Sequence, residues 1–392
     1  MQLTKLQTEE VLKQFLSKEN GLNEVLEILM NSLMLSEREA FLKEKEQSNK
    51  ANGYRPGQVY GRGNQLQLRI PRDRLGQFYP VILSLLRDQD SQLHDLSFAL
   101  YTKGLTTRDI GDILEIIYGK NYSKSSISNI NTSFYDQMEA WRNRQLDDEY
   151  LVVYIDAIWT KVKRDTIDNE AFYIMMGLKK DYTREIIGIV NIPTESATGW
   201  EQALRELKDR GLKKVHLFVS DGLRSLEEAI SAVFNQSVHQ KCTVHLIRNI
   251  LAKVRSSHKE EVARDFRFIL DPDNENHTKE KALERLEFFS AKWGKLYKHI
   301  QILPNKEDIN YYFNYLNYDY RVRRMIYTTN WIERFNKSCK RTIKIRNSFP
   351  SPEAALALIT SVAIEKAEKK YSYPIHNFKF EEKFYESSCS IY

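Results

Sequence analysis

Long apolar runs are missing from this chain of 392 residues, so no segment reads as a membrane-spanning helix. The opening stretch, MQLTKLQTEEVLKQFLSKE, carries charges every few positions and lacks the apolar centre of a secretory signal. The expectation is a cytoplasmic protein with no membrane partner. Cysteine is scarce: Cys242, Cys339 and Cys389 are odd in number and scattered, which excludes a disulfide framework and suits a reducing compartment. Charge of one sign does not dominate either, because 59 Lys and Arg face 53 Asp and Glu. With 42% hydrophobic and 29% charged residues, wholesale disorder and fibrous classes are excluded. The length allows two or three domains, each with its own core.

One absence is local. In MIYTTNWIERFNKSCKRTIKIRNSFP, residues 325 to 350, the bases Arg334, Lys337, Lys340, Arg341, Lys344 and Arg346 accompany a single acid, Glu333. A solvated helix face intersperses acids with bases, as EQALRELKDR at 201 to 210 does. Other basic clusters are GYRPGQVYGRGNQLQLRIPRDR (53 to 74), with Arg69, Arg72 and Arg74, and RVRRM (321 to 325). They read as local polyanion-binding surfaces, with ordinary solvated charge the alternative for any single run.

Three regions are expected. Residues 1 to 50 form a helical segment, with Val11, Leu12, Phe15, Leu22, Val25 and Leu29 at three- and four-residue spacing. Residues 51 to 148 form a mostly helical DNA-binding region. It begins with Gly-rich turns and the alternation Leu66, Leu68, Ile70, a strand ended by Pro71. Two helices joined by YGKNYSKSS follow. The first opens on a capping box of Thr106 and Asp109, and the second offers Ser126 and Asn129, as a helix-turn-helix presents its second helix to the major groove. A helical hairpin that binds nothing is the alternative.

From 149 to 392 the texture is α/β. EYLVVYIDAIW, AFYIMMGL and EIIGIVNI read as three strands in hairpin succession, followed by a helix, the strand VHLFVSD and further helices. This order predicts the mixed sheet of a ribonuclease H-like fold, interrupted by a helical insertion at about 250 to 325. Asp156 and Asp221 close the first and fourth strands, and side chains at the carboxyl ends of neighbouring strands converge. Two carboxylates brought together repel unless a cation lies between them, and magnesium is the expected ion. Two ions would suit in-line phosphoryl transfer. The alternative is a turn at Asp221-Gly222 and a strand cap at Asp156. Glu333, 333 − 221 = 112 residues on, is the candidate third ligand, in the first turns of a helix capped by Thr329 or Asn330. Trp293 in SAKWGKLY is either a core residue or a platform for an unpaired base.

The blocks YIDAIWTKVKRD, HLFVSDGLRSLEEAI, QKCTVHLIRNILAKV and YTTNWIERFNKSCKRTIKIRNSFPS resemble the Mutator-type transposases of bacterial insertion sequences. LRIPRDRLGQFYP and LYTKGLTTRDIGDIL resemble their N-terminal half. The resemblance implies an Asp-Asp-Glu polynucleotidyl transferase with Asp156, Asp221 and Glu333 as catalytic and metal-binding residues, two Mg2+ ions and Mn2+ as a substitute. It implies double-stranded DNA as partner, both element ends and target, contacted by Arg69, Arg72, Arg74, Ser126, Asn129, Arg334, Lys337, Arg341 and Lys344. A homodimer or larger assembly on DNA follows from joining two ends. The family's Cys-x-x-His element is matched by Cys242 and His245. Zinc is one reading, but a structural site needs four ligands and no second pair has suitable spacing, so the preferred reading is that they shape the active-site floor or position DNA. Trp159 departs from the Tyr frequent in relatives. The competing functions are a domesticated, DNA-binding regulator and a stand-alone metal-dependent nuclease.

Overall fold

The computed structural model describes residues 21–44, 49–61, 64–118, 124–193, 196–375 and 378. The chain forms two compact units, Met1–Phe134 and Tyr135–Tyr392.

In the first unit, α1 (Gly21–Glu44) lies against a hairpin of β1 (Ala51–Gly61) and β2 (Asn64–Asp73). Val59, Leu66, Leu68 and Ile70 are buried with Met34 and Leu83, so the alternation seen in the sequence does face a core. Two expectations are corrected. The Gly-rich stretch from 53 is a strand, because pairing with β2 outweighs its poor β-propensity. At Gly57 a Cβ would come within 2.3 Å of Ile70 Cδ1, so a larger residue would make the Ile70 side chain move. Nor does β2 stop at Pro71, which pairs with Tyr54 near a register irregularity before the strand ends at Asp73.

Next come α2 (Val81–Thr102), α3 (Thr107–Tyr118) and α4 (Lys124–Arg142). The capping box forms: the Asp109 carboxylate accepts from Thr106 N at 2.8 Å, and Thr106 Oγ1 accepts from Asp109 N at 3.1 Å. Phe134 of α4 packs edge-on against His94 and Phe98 of α2. The residues linking α3 and α4, and the side chains of Ser126 and Asn129, lie outside the described residues.

The second unit is a mixed sheet. Its strands are β3 (Glu149–Lys163), β4 (Ile167–Leu178), β5 (Arg184–Asn191), β6 (Lys214–Ser220), β7 (Val238–Lys241) and β8 (Ser348–Phe349). They run in the order β5-β4-β3-β6-β7, with β8 added to β3. The β5-β4-β3 meander is antiparallel, whereas β6, β7 and β8 join in parallel. Tyr135 opens this unit, ahead of β3, because the approach to the sheet is tied to it: Leu146 N donates to Arg210 O and Arg144 bonds Glu185.

Helix α5 (Ala197–Asp209) starts where Ser196 Oγ accepts from Gly199 N at 3.2 Å, a side-chain N-cap. Its Trp200, Ala203, Leu204 and Leu207 follow helical spacing and are buried against the sheet, with Trp200 edge-on to Tyr173. Helix α6 (Arg224–Val233) adds Leu226, Ala229 and Ile230 to the same core. After α7 (Thr243–Ala252) the chain adds α8 (Lys259–Leu270), α9 (Lys279–Trp293) and short helical turns before α10 (Tyr320–Ile326). Helix α11 (Asn330–Arg346) then lies along β3, and α12 (Pro352–Lys366) follows β8.

Candidate active site

The site is set by a gap in strand pairing. On one edge, β3 pairs with β6 as far as Tyr154–Val219 and with β8 from Lys161–Ser348. Ile155 to Thr160 therefore have no ladder partner on that side among the described residues. Two residues beyond the last β6 pair stand Asp156, within β3, and Asp221, the first residue after β6. The expectation that Asp156 ends its strand is corrected: it lies mid-strand, because pairing with β4 carries β3 on to Lys163.

Glu333 lies in the first turn of α11, and Asn336, Lys337 and Lys340 follow on the same face at helical spacing. Asp156, Asp221 and Glu333 line one cleft of about 290 Å³ together with Ala157, Trp159, His245, Arg248, Asn336, Lys337 and Lys340. The three acids singled out in the sequence thus share a cleft across separations of up to 177 residues, 333 − 156.

Asn336, buried, donates from Nδ2 to Asp156 Oδ2 at 2.8 Å. Burial pushes the Asp156 carboxyl above its ordinary value and the Glu333 charge adds to this, while the Ala157 amide, His245 and Asn336 pull the other way. Glu333 is itself held by Arg248, whose Nη1 donates to Oε1 at 3.3 Å. Arg248 is the more exposed partner, so this pair is of the weak surface kind.

His245 lines the cleft, whereas Cys242 does not; it is buried at the start of α7. Cys242, fully buried, is the N-cap of α7; its amide donates to Ser220 O at the end of β6, and its Sγ accepts from Thr329 Oγ1 at 3.5 Å. Thr329 does occupy the N-cap position of α11, but its hydroxyl serves Cys242 and makes no cap hydrogen bond. Thr243 adds bonds from N and Oγ1 to Tyr327 O. The start of α7 therefore ties the strand bearing Asp221 to the helix bearing Glu333. The neighbouring Cys242 raises the His245 pKa, and the Asp156 and Asp221 charges add to it; burial opposes. For Cys242, burial pushes the thiol up, and His245 and Thr329 outweigh it, so the net shift is downward.

Of the basic residues expected to meet DNA, Lys337 lines the cleft, whereas Arg334, Arg341 and Lys344 are exposed elsewhere on α11. Arg69, Arg72 and Arg74 are exposed on and just after β2. The run RVRRM is not a free polyanion-binding surface. Arg323 is 5% exposed and donates to the carbonyls of Tyr318, Leu316, Asn274 and His277, while Arg321 pairs with Asp319 and Arg324 with Asp273. Trp293 resolves as a core residue, 4% exposed, with its indole N–H donating to Asp265 at 2.9 Å. Sequence reasoning missed Asn336, Arg248 and Lys340 as members of the cleft. The signal for Asn336 and Lys340 was their spacing of three and seven from Glu333, which puts all on one face.

The cleft thus brings three acids together with the cations Arg248, Lys337 and Lys340. The chain belongs to the Mutator family of transposases, whose family profile matches residues 1–372. It is 34% identical over 341 residues to the transposase for insertion sequence element IS1201 of Lactobacillus helveticus, spanning 85% of this chain and 91% of that one. The transposase for insertion sequence element IS905 of Lactococcus lactis is 30% identical over 385 residues, spanning 95% and 96%. The transposase for IS256 in transposon Tn4001 of Staphylococcus aureus is 28% identical over 89% of this chain and 90% of that one. The Drosophila P element transposase strand transfer complex aligns over 71% of this chain and 79% of that chain, at 12% identity and a TM-score of 0.27.

Proposed function

We propose that this protein is the transposase of an insertion element, binding the element's terminal inverted repeats in double-stranded DNA, cutting strands and joining the freed 3′ hydroxyls to new phosphodiesters. One observation carries the chemical part: Asp156, Asp221 and Glu333 line a single cleft. The β5-β4-β3-β6-β7 order, antiparallel and then parallel, supports a ribonuclease H-like catalytic domain, with α8, α9 and the turns after them as the insertion.

Hard carboxylate oxygens suit Mg2+, with Mn2+ as a substitute. Among the described residues no three His, Cys, Asp or Glu side chains are gathered closely enough to enclose an ion. Glu333 spends its charge on Arg248 in this state, so completing a ligand set requires it to exchange Arg248 for metal. Asp156, Asp221 and Glu333 would then be the ligands, and two bound ions supply an activated attacking oxygen and charge neutralisation at the leaving oxygen. The chain's other groups have roles of their own. Asn336 orients Asp156, Cys242 and His245 shape the floor, and Arg248, Lys337 and Lys340 receive phosphate oxygens.

End recognition falls to the region before the sheet, through Arg69, Arg72 and Arg74 and through the helix-turn-helix of α3 and α4 with Ser126 and Asn129. Arg334, Arg341 and Lys344 extend the contact along α11. Holding two ends in one assembly requires at least a homodimer on cytoplasmic DNA. The test is Glu333→Gln in the full chain, with DNA carrying the element's ends. Magnesium-dependent cutting and joining should fall by roughly a hundredfold or more, as for loss of a preorganised electrostatic group, while gel-shift binding is retained and manganese restores part of the activity. Normal cutting and joining by the Gln variant would remove Glu333 from the site.

A further inference from the structure

The cleft has one wall that its carboxylates do not use. Beyond Asp156, β3 alternates strictly: Trp159, Lys161 and Lys163 are exposed, while Thr160 and Val162 between them are buried. Successive side chains of a strand point to opposite faces, so the three exposed residues share one face, opposite to that of the Asp156 side chain, and span roughly 13 Å at ~3.3 Å per residue; Trp159 meets the cleft at the unpaired edge of β3. Trp159 is 58% exposed, a large apolar surface to leave in water beside a polar cleft that it also lines. Two features keep it uncovered. Its partner on β4 is Ala171, too small to cover an indole, and on its other side β3 has no ladder partner among the described residues.

Neither lysine faces an acid across β4. Opposite Lys161 and Lys163 on β4 are Asn169 and Ile167, whereas Asp168 and Glu170 pair with Val162 and Thr160 and so fall on the other face. Both acids are engaged there, Glu170 by Arg164 at 2.6 Å and Asp168 by the Thr166 hydroxyl. An exposed aromatic continued by two lysines with no carboxylate among them is the composition of a strand-binding track, where bases stack and phosphates meet cations.

We infer that Trp159, Lys161 and Lys163 form a DNA-strand platform: the indole takes an unstacked base next to the scissile phosphate, and the two lysines hold the phosphates that lead away from the cleft. The platform rests on the proposed strand-transfer reading and deepens it by naming where the strand leaves the carboxylates. The β8 pairing at Lys161 and Val162 fixes the far end of the track relative to α11.

The test uses the full chain and end DNA with 5-iododeoxyuridine placed in turn at each nucleotide flanking the cut. Irradiation should crosslink one position to Trp159, identified by peptide mass spectrometry, both in the wild type and in Asp156→Asn, which reads the contact without chemistry. Trp159→Ala should slow single-turnover cutting by roughly ten- to a hundredfold, the scale of one lost base stack, and Trp159→Phe should recover most of it. Each of Lys161→Ala and Lys163→Ala should lower the salt slope of binding by about one. If the wild type neither cuts nor joins yet the Trp159 crosslink forms, the platform stands and the strand-transfer reading fails. If the wild type cuts, crosslinks form only to other residues and Trp159→Ala cuts at the wild-type rate, the platform is overturned.

Discussion

Asn336 donates to Asp156 at 2.8 Å from a helix 180 residues further along the chain, and both side chains belong to the same cleft. The bond favours the ionised carboxylate, but burial outweighs it and leaves the Asp156 pKa above its ordinary value. Asn336 touches no reacting atom in this arrangement; it is a positioning residue.

Asn336→Ala should therefore shift a pH profile as well as a rate. Without the donor, the Asp156 pKa, already raised by burial, rises further, and the acid limb of the cleavage profile moves to higher pH. The maximal rate should fall about 10- to 100-fold, as for other groups that orient a metal ligand. A rate loss with an unmoved acid limb would assign Asn336 to packing alone.

Asp156 should make the metal-free protein less stable at neutral pH. Its folded pKa is raised, so both folded and unfolded forms are protonated well below the ordinary carboxylate range, where no penalty exists. The penalty grows as pH rises and is complete above the folded value. In chelator at pH 7, Asp156→Asn should melt at a higher temperature than the wild type, and the two should converge on acidification toward pH ~4. Melting curves across pH decide this, and a lower melting temperature for the Asn variant at pH 7 would contradict it.

Arg323→Ala should destabilise the second unit by about 3–5 kcal/mol, because it strands several buried carbonyls that one guanidinium now satisfies. Lys344→Ala, exposed on α11, should stay within about 0.5 kcal/mol. Urea unfolding distinguishes them, and only the lysine change should weaken DNA binding without altering the fold.

What could be read from the sequence followed from local rules. The Thr106–Asp109 box is a four-residue pattern and formed as such; the branched and aromatic runs became β3, β4, β5 and β6; the buried face of β2 follows its alternation. What could not be read depended on distant partners. The glycines near residue 57 masked β1, since the closeness of Ile70 to Gly57 comes from pairing with β2 and has no local sign. RVRRM looked like solvent-facing charge, since the Asn274 and His277 carbonyls and the Asp273 carboxylate lie 46 to 51 residues away. Asp156 was placed at a strand end because nothing local announces that β4 and β8 extend β3 past it. Arg248 was overlooked for the same reason: its partner, Glu333, is 85 residues away.

The gap on the edge of β3 also has a consequence in time. One border is set by β6 and the other by β8, which lies beyond the helix that carries Glu333. Contacts of such sequence separation close late, because the intervening loop must be ordered before they form. During synthesis, a nascent chain that has folded its first strands already holds both aspartates but has neither the glutamate nor the strand that seals the far border. The cleft is thus assembled only once most of the polypeptide has left the ribosome, and a translation product that stops short of α11 and β8 has both aspartates but no complete cleft.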